Sequence, residues 1–87
     1  MKNKVLIKVV VPEFDRCFDV FIPVNEILWK VKRLIVKSIS DITGIELDPK
    51  GDYILINKDD SKMYDDNLII IDTDIRNGTE LILLSKK

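Results

Sequence analysis

Apolar and polar positions alternate with a period of two at the start of the chain, change to a period near 3.6, and then return to short apolar runs. Lys4-Val5-Leu6-Ile7-Lys8-Val9-Val10-Val11 is rich in β-branched residues and ends at Pro12, which has no N–H for a ladder, so it predicts a strand. Pro12-Glu13-Phe14-Asp15-Arg16 predicts a turn. Cys17-Phe18-Asp19-Val20-Phe21-Ile22 predicts a second strand, stopped by Pro23. Two strands joined so closely predict a hairpin. Lys8 and Asp19 belong in water, which turns Val5, Ile7, Val9, Val11, Phe18, Val20 and Ile22 inward.

From Asn25 the spacing changes. Val24, Ile27, Leu28, Val31, Leu34, Ile35, Ser38 and Ile42 fall three or four apart, one face of a helix. Asn25 is the expected N-cap and Gly44 the expected C-cap, giving about five turns. At about 100° per residue the core side centres near Val31 and Ile42. A loop containing Pro49 follows over residues 45–51. Tyr53-Ile54-Leu55-Ile56-Asn57 predicts a short strand, Lys58-Asp59-Asp60-Ser61 a turn, and Lys62-Met63-Tyr64 one more very short strand. Leu68 to Ile75 supports two readings, strand by propensity and turn by its polar second half. Thr79 to Leu84 is the final strand.

This order predicts an α+β domain: a mixed four- to five-stranded sheet, ββαββ, with one helix packed across it. The last strand is expected to insert parallel to the first, in the sheet centre. The alternative pairs Leu68–Ile71 with the last strand as a hairpin around Asn77-Gly78. It ranks second because the seven residues between them are long for a hairpin.

Composition narrows the class. With 87 residues there is room for one domain, residues 1–87, and a 46% hydrophobic, 33% charged chain is globular in character. No apolar run is long enough to insert in a membrane, and the run at 5–11 lacks a small-residue cleavage site. The single cysteine cannot form an internal disulfide, which fits a reducing, cytoplasmic location. Residues 1–44 carry eight Lys or Arg against five Asp or Glu, and residues 45–87 six against ten. A nucleic-acid partner is not expected, because phosphate contact needs clustered basic residues and the second half is acidic.

The inventory for catalysis is thin. There is no histidine, no Gly-rich phosphate loop and no cysteine pair, so neither an enzyme activity nor a cofactor nor a metal is expected. Asp59-Asp60 with Asp65-Asp66 could hold a hard cation, but the spacing lacks the glycine and terminal glutamate of a calcium loop, and solvated turns account for them. Cys17 has no activating neighbour in sequence and reads as a small hydrophobe.

Surfaces remain. Trp29 falls roughly opposite the expected core side of the helix, with Val36 beside it and Arg33, Lys30, Lys32 and Lys37 around both. An exposed Trp in a basic ring suits an interface anchor. The competing reading is a Trp29 folded back on the N-terminal loop, or a helix rotated from this estimate. If alternate strand residues face inward, Leu6, Val10, Phe21, Leu55, Ile82 and Leu84 face outward. That would be a larger apolar patch than a solitary domain exposes, and would be covered by a protein partner or by a second copy. A register error of one residue would reverse the assignment.

Certain residues carry a resemblance. The hairpin with Pro23 before a helix, the helix ending at Gly44, and Asp72-x-Asp74-Ile75-x-Asn77-Gly78-x-x-Leu81-x-Leu83 resemble the ubiquitin-like β-grasp family. Within it, the chain is similar to the small bacterial proteins of the YukD/EsaB type, associated with type VII (WXG100) secretion. The resemblance implies that Ile75 is a buried plug, that Gly78 supplies a positive φ, and that Leu81 and Leu83 face the helix. It also implies recognition through the outer sheet face, by a non-enzymatic accessory that docks on a membrane-embedded secretion component or its cytosolic domain. One departure concerns the C-terminus. Ubiquitin and the sulfur carriers end in a mobile diglycine, whereas here no glycine follows Gly78, and Lys86-Lys87 would not enter the channel that reads it. Conjugation is therefore not expected; the alternatives are a modifier or sulfur carrier truncated at its C-terminus, or a self-associating structural domain.

Overall fold

The hairpin forms as expected. Strand β1 (Lys4–Val11) pairs antiparallel with β2 (Arg16–Pro23), Lys4 opposite Pro23 and Val11 opposite Arg16. Pro12–Phe14 makes a 3-10 turn between them, and Asp15 takes a left-handed conformation with its N–H donated to the Pro12 carbonyl. Helix α1 (Leu28–Thr43) follows, then β3 (Tyr53–Asn57) and β4 (Glu80–Ser85). The computed structural model describes residues 3–86. Met1 and Lys2, part of the expected non-leader N-terminus, and Lys87, part of the expected obstacle to a diglycine channel, lie outside the described residues.

The sheet order is β2-β1-β4-β3. The last strand in sequence therefore occupies the centre, parallel to β1 and antiparallel to β3. A central strand is buried by both neighbours, which suits the apolar run 81–84. Ile7, Val9, Val11, Phe18, Val20 and Ile22 line the inner face and pack with α1 and with Leu81 and Leu83 in one core. The hairpin alternative for Leu68–Ile71 is not formed. That stretch holds a 3-10 turn at Ile70–Asp72, with Ile70 buried, and Ile69 bridges Ile27. The expected strand at Lys62–Tyr64 is reduced to a single bridge between Met63 and Ile56.

The helix ends as its sequence predicts and begins otherwise. Gly44 adopts φ +73° and closes the last turn through its N–H to the Ser40 carbonyl. A residue with a Cβ is strained there, which is why glycine stands at this position. At the other end Ile27, not Asn25, is the N-cap, and no side chain caps it. Backbone carbonyls from the later connection replace a cap: Leu28 N–H donates to Leu68 O at 2.8 Å and Trp29 N–H to Asp66 O at 3.2 Å. These bonds satisfy donors that a helix start leaves open.

The structure corrects two site assignments. Val36 is 0% exposed and belongs to the core, with Leu28, Val31, Ile35 and Ile39, while Leu34 and Ile42 are exposed. The helix is thus turned about 60° from the expected orientation, at 100° per residue. The connection that clamps its first turn holds it there. Leu55 is 2% exposed and faces the core opposite Leu83, so it is not part of the outer face. The pairing of β3 with β4 decides this, since the inward Leu81 and Leu83 impose their alternation on the neighbouring strand.

Candidate protein-interaction surfaces

The outer face of the sheet is built by the strand registers. Lys8 lies between Asp19 on β2 and Glu80 on β4. Lys58, just past β3, joins the same row, its backbone N–H donated to Glu80 O and its ammonium 3.0 Å from the Glu80 carboxylate. The hydrogen bond to Glu80, and then its charge, raise the Lys58 pKa. Asp19, Lys8, Glu80 and Lys58 thus alternate in sign across β2, β1, β4 and the turn that follows β3, so each charge faces an opposite neighbour.

That row divides the expected patch. On one side Leu6 and Phe21 form a cross-strand pair, Phe21 being 52% exposed. On the other side Val10 sits opposite Ile82, Ile82 opposite Ile56, and Ile54 opposite Leu84. These five are half-buried, and the exposed Met63 adjoins Ile56 at the sheet edge. The structure therefore brings Val10, Ile82 and Leu84 together, separates them from Leu6 and Phe21, and removes Leu55. Ile54 and Ile56 take its place, and it is the β3–β4 register, not any local signal in Tyr53–Asn57, that puts them there.

On the other layer Trp29 is 37% exposed, at the flank of α1 and not opposite its core side. The Arg33 guanidinium lies 4.9 Å from the ring centroid and the Lys30 ammonium 5.5 Å. Such cation–π contacts are worth about 0.5–1 kcal/mol each at an exposed site. Val36 is absent from this surface. Two depressions flank the indole. One, of about 360 Å³, runs between α1 and β3 and is bordered by Lys32, Arg33, Lys50, Tyr53, Asp66 and Lys86. The other, of about 370 Å³, is bordered by Glu26, Lys30, Arg33, Leu34, Lys37 and Pro49. Lys32 is partly held already: it pairs with Asp66 and donates to the Tyr53 carbonyl at 2.8 Å.

The acidic turns are used locally. Asp60 accepts the Lys62 N–H and Asp65 the Asn67 N–H. Cys17 is exposed on the outer face, opposite Val10. A polar cluster unforeseen in the sequence closes the connection between β3 and β4. The buried Tyr64 hydroxyl donates to Asp74 Oδ1 at 2.8 Å and accepts from Asn57 Nδ2 at 3.0 Å. Burial, more than any neighbour, pushes the Tyr64 pKa up to about 12. The Tyr64 hydroxyl, helped by Lys62, holds the Asp74 carboxyl below its ordinary value of 3.8. A depressed carboxylate contributes stability above its unfolded pKa and loses it as pH falls through the folded one. Tyr64→Phe is therefore expected to cost about 1 kcal/mol at neutral pH, discounted for the solvent exposure of Asp74. The deficit should shrink below the folded Asp74 pKa, read as urea midpoints for both proteins at neutral and strongly acid pH. An equal deficit at both pH values would break the link to Asp74.

The hairpin, the crossing helix and the parallel central strand together define a ubiquitin-like β-grasp fold. No protein-family model and no curated protein sequence matches the chain. Similarity to solved structures is extensive. The ubiquitin-like domain of the type VII secretion system protein ECCD1 of Mycobacterium tuberculosis superposes with a TM-score of 0.71 at 14% identity, over 94% of this chain and 98% of that one. A chain of the ESX-5 inner membrane complex gives 0.71 at 16% identity, over 98% of this chain but 22% of the other. The ubiquitin-like domain of an Arabidopsis thaliana protein gives 0.65 at 18% identity, over 98% of this chain and 80% of that one. Among the described residues no helix is long and apolar enough to cross a membrane.

Proposed function

We propose that this chain is a non-enzymatic, cytoplasmic protein-interaction module of the YukD/EsaB type that serves type VII (WXG100) secretion. It would dock on a membrane-embedded component of the system or on its cytosolic domain. The observation that carries the interaction role is the apolar cluster Val10, Ile54, Ile56, Ile82 and Leu84, left without cover on the outer sheet face and bordered by the charged row of Asp19, Lys8, Glu80 and Lys58. Support for the secretion context comes from the structural likeness to the ECCD1 ubiquitin-like domain and to the ESX-5 chain. The mechanism is surface recognition: the cluster supplies apolar area, and the charged row beside it sets register, because a misaligned partner would bury an unpaired charge.

The test is co-purification with the cytosolic domain of the secretion system's membrane component. Ile82→Lys places a charge in the middle of the cluster and is expected to weaken retention by about tenfold or more. Its melting temperature should stay close to that of the wild type, because the side chain already borders solvent. Retention equal to that of the wild type would remove the sheet face from the interaction. Light scattering on the same pair of proteins separates docking from self-association: a wild-type dimer broken by Ile82→Lys would favour a second copy as the occupant.

A further inference from the structure

The ionic balance around Trp29 is uneven. Two of the acidic residues there are engaged, Glu26 with Lys30 at 3.7 Å and Asp66 with Lys32. Arg33, Lys37, Lys50 and Lys86 make no ion pair among the described residues. Of the carboxylates bordering the two depressions only Asp52 remains to oppose them. The ridge between the depressions is the Trp29 indole with Arg33 over it, and Pro49 borders both sides. On the helix side the floor is apolar, made by Trp29, Leu34 and Pro49. On the β3 side Arg33, Lys50 and Lys86 present three unmatched cations.

We propose that this double depression is a docking site for an acidic protein segment in which carboxylates flank one large aliphatic side chain. The aliphatic group would lie on Trp29, Leu34 and Pro49. A carboxylate would take the planar fork of Arg33, which suits bidentate binding. A second would lie between Lys50 and Lys86. Each depression falls at the lower end of the volumes that hold bound groups. A polyphosphate chain fits less well, because the apolar floor of Trp29, Leu34 and Pro49 interrupts the line of cations that a continuous run of phosphates would need. A flat anionic membrane fits less well too, since the cations border two hollows separated by a ridge instead of forming a plane. The site rests on the interaction-module role proposed above and meets the outer sheet face only at its β3 edge, where Ile54 and Met63 border one depression; Val10, Ile82 and Leu84 border neither.

The chain has one tryptophan, so its fluorescence reports this site directly. The probe is a short acetylated peptide of glutamates around one central leucine, titrated into the full chain. A saturable change in Trp29 emission is expected, with affinity falling by about tenfold or more as NaCl rises from about 50 to about 500 mM. Arg33→Glu and Lys50→Glu, both at exposed positions, should each weaken it by about tenfold. The same peptide with lysines should not bind, and Ile82→Lys should bind like the wild type. The proposal fails if the lysine peptide binds equally, if no saturation is seen, or if amide shifts centre on Val10, Ile82 and Leu84, which border neither depression. Preference for anionic phospholipid vesicles or an oligonucleotide over the peptide would also overturn it. Failure of the secretion role leaves this titration unchanged, because the probe is synthetic and Ile82, the position that tests that role, borders neither depression.

Discussion

Leu55→Asp is expected to leave no folded domain at room temperature. The leucine is 2% exposed, faces inward from β3 and sits opposite the buried Leu83. Removing a buried leucine side chain costs about 2–5 kcal/mol through lost transfer energy and the void left behind. The aspartate adds a buried carboxylate with no partner, worth several kcal/mol more unless it protonates. The sum reaches the whole stability of an ordinary domain, about 5–15 kcal/mol. Ile56→Asp, one residue along the same strand and on the outer face, should remain folded, because its carboxylate can reach water. Circular dichroism and amide dispersion of the two variants decide the matter. A folded Leu55→Asp beside an unfolded Ile56→Asp would mean that β3 is shifted by one residue from the register that sets Leu55 opposite Leu83. The comparison also shows why Leu55 is a poor position for probing docking: lost binding there would report lost folding.

The difference between those two neighbours was not legible in the sequence. Tyr53-Ile54-Leu55-Ile56-Asn57 has three aliphatic residues in a row and no charge to mark the wet side, so local alternation leaves both faces equally apolar. β1 and β2 were legible because Lys8 and Asp19 each mark one face, and every inward residue expected on that basis is buried or packed against the core. The parallel central strand and the Gly44 cap also follow the sequence, while the positive φ of Gly78 and the buried Ile75, Leu81 and Leu83 are what the β-grasp resemblance implies. Helix α1 was legible in its period but not in its rotation. A side-chain cap at Asn25 would have set the origin locally; instead, the carbonyls of Asp66 and Leu68 set it from a segment about forty residues away. Val36 therefore fell on the wrong side, and Trp29 lies at the flank. The charged row across the outer face was hidden for the same reason. Each of its residues is plain in the sequence, but the β1–β4 stagger that sets Lys8 against Glu80 is a non-local quantity.

Ile75→Ala is the second large effect. Residues 58–79 form a long connection with no strand or α-helix of its own, so a few buried side chains hold it to the core. Those anchors are Tyr64, Ile70 and Ile75, the last 1% exposed. Around Ile75 the backbone is tightly bonded. The Thr73 hydroxyl donates to Ile70 O at 2.6 Å and accepts the Ile75 N–H at 3.1 Å, while the Arg76 guanidinium donates to the carbonyls of Thr73 and Ile75. So constrained a site cannot collapse onto a smaller side chain, which puts the cost near the middle of the usual range, about 3 kcal/mol. For a domain of this size that is a fall in melting temperature of roughly 12–24 °C. Ile71→Ala, four residues earlier and 57% exposed, should stay within about 0.5 kcal/mol of the wild type. The consequence extends beyond stability. The same connection supplies the carbonyls that cap α1 beside Trp29, so loosening it should speed amide exchange at Leu28 and Trp29 before the sheet opens. Exchange that accelerates only together with the sheet would show that the connection and the helix start are not a separate unit. The Trp29 surface would then be as rigid as the core beneath it.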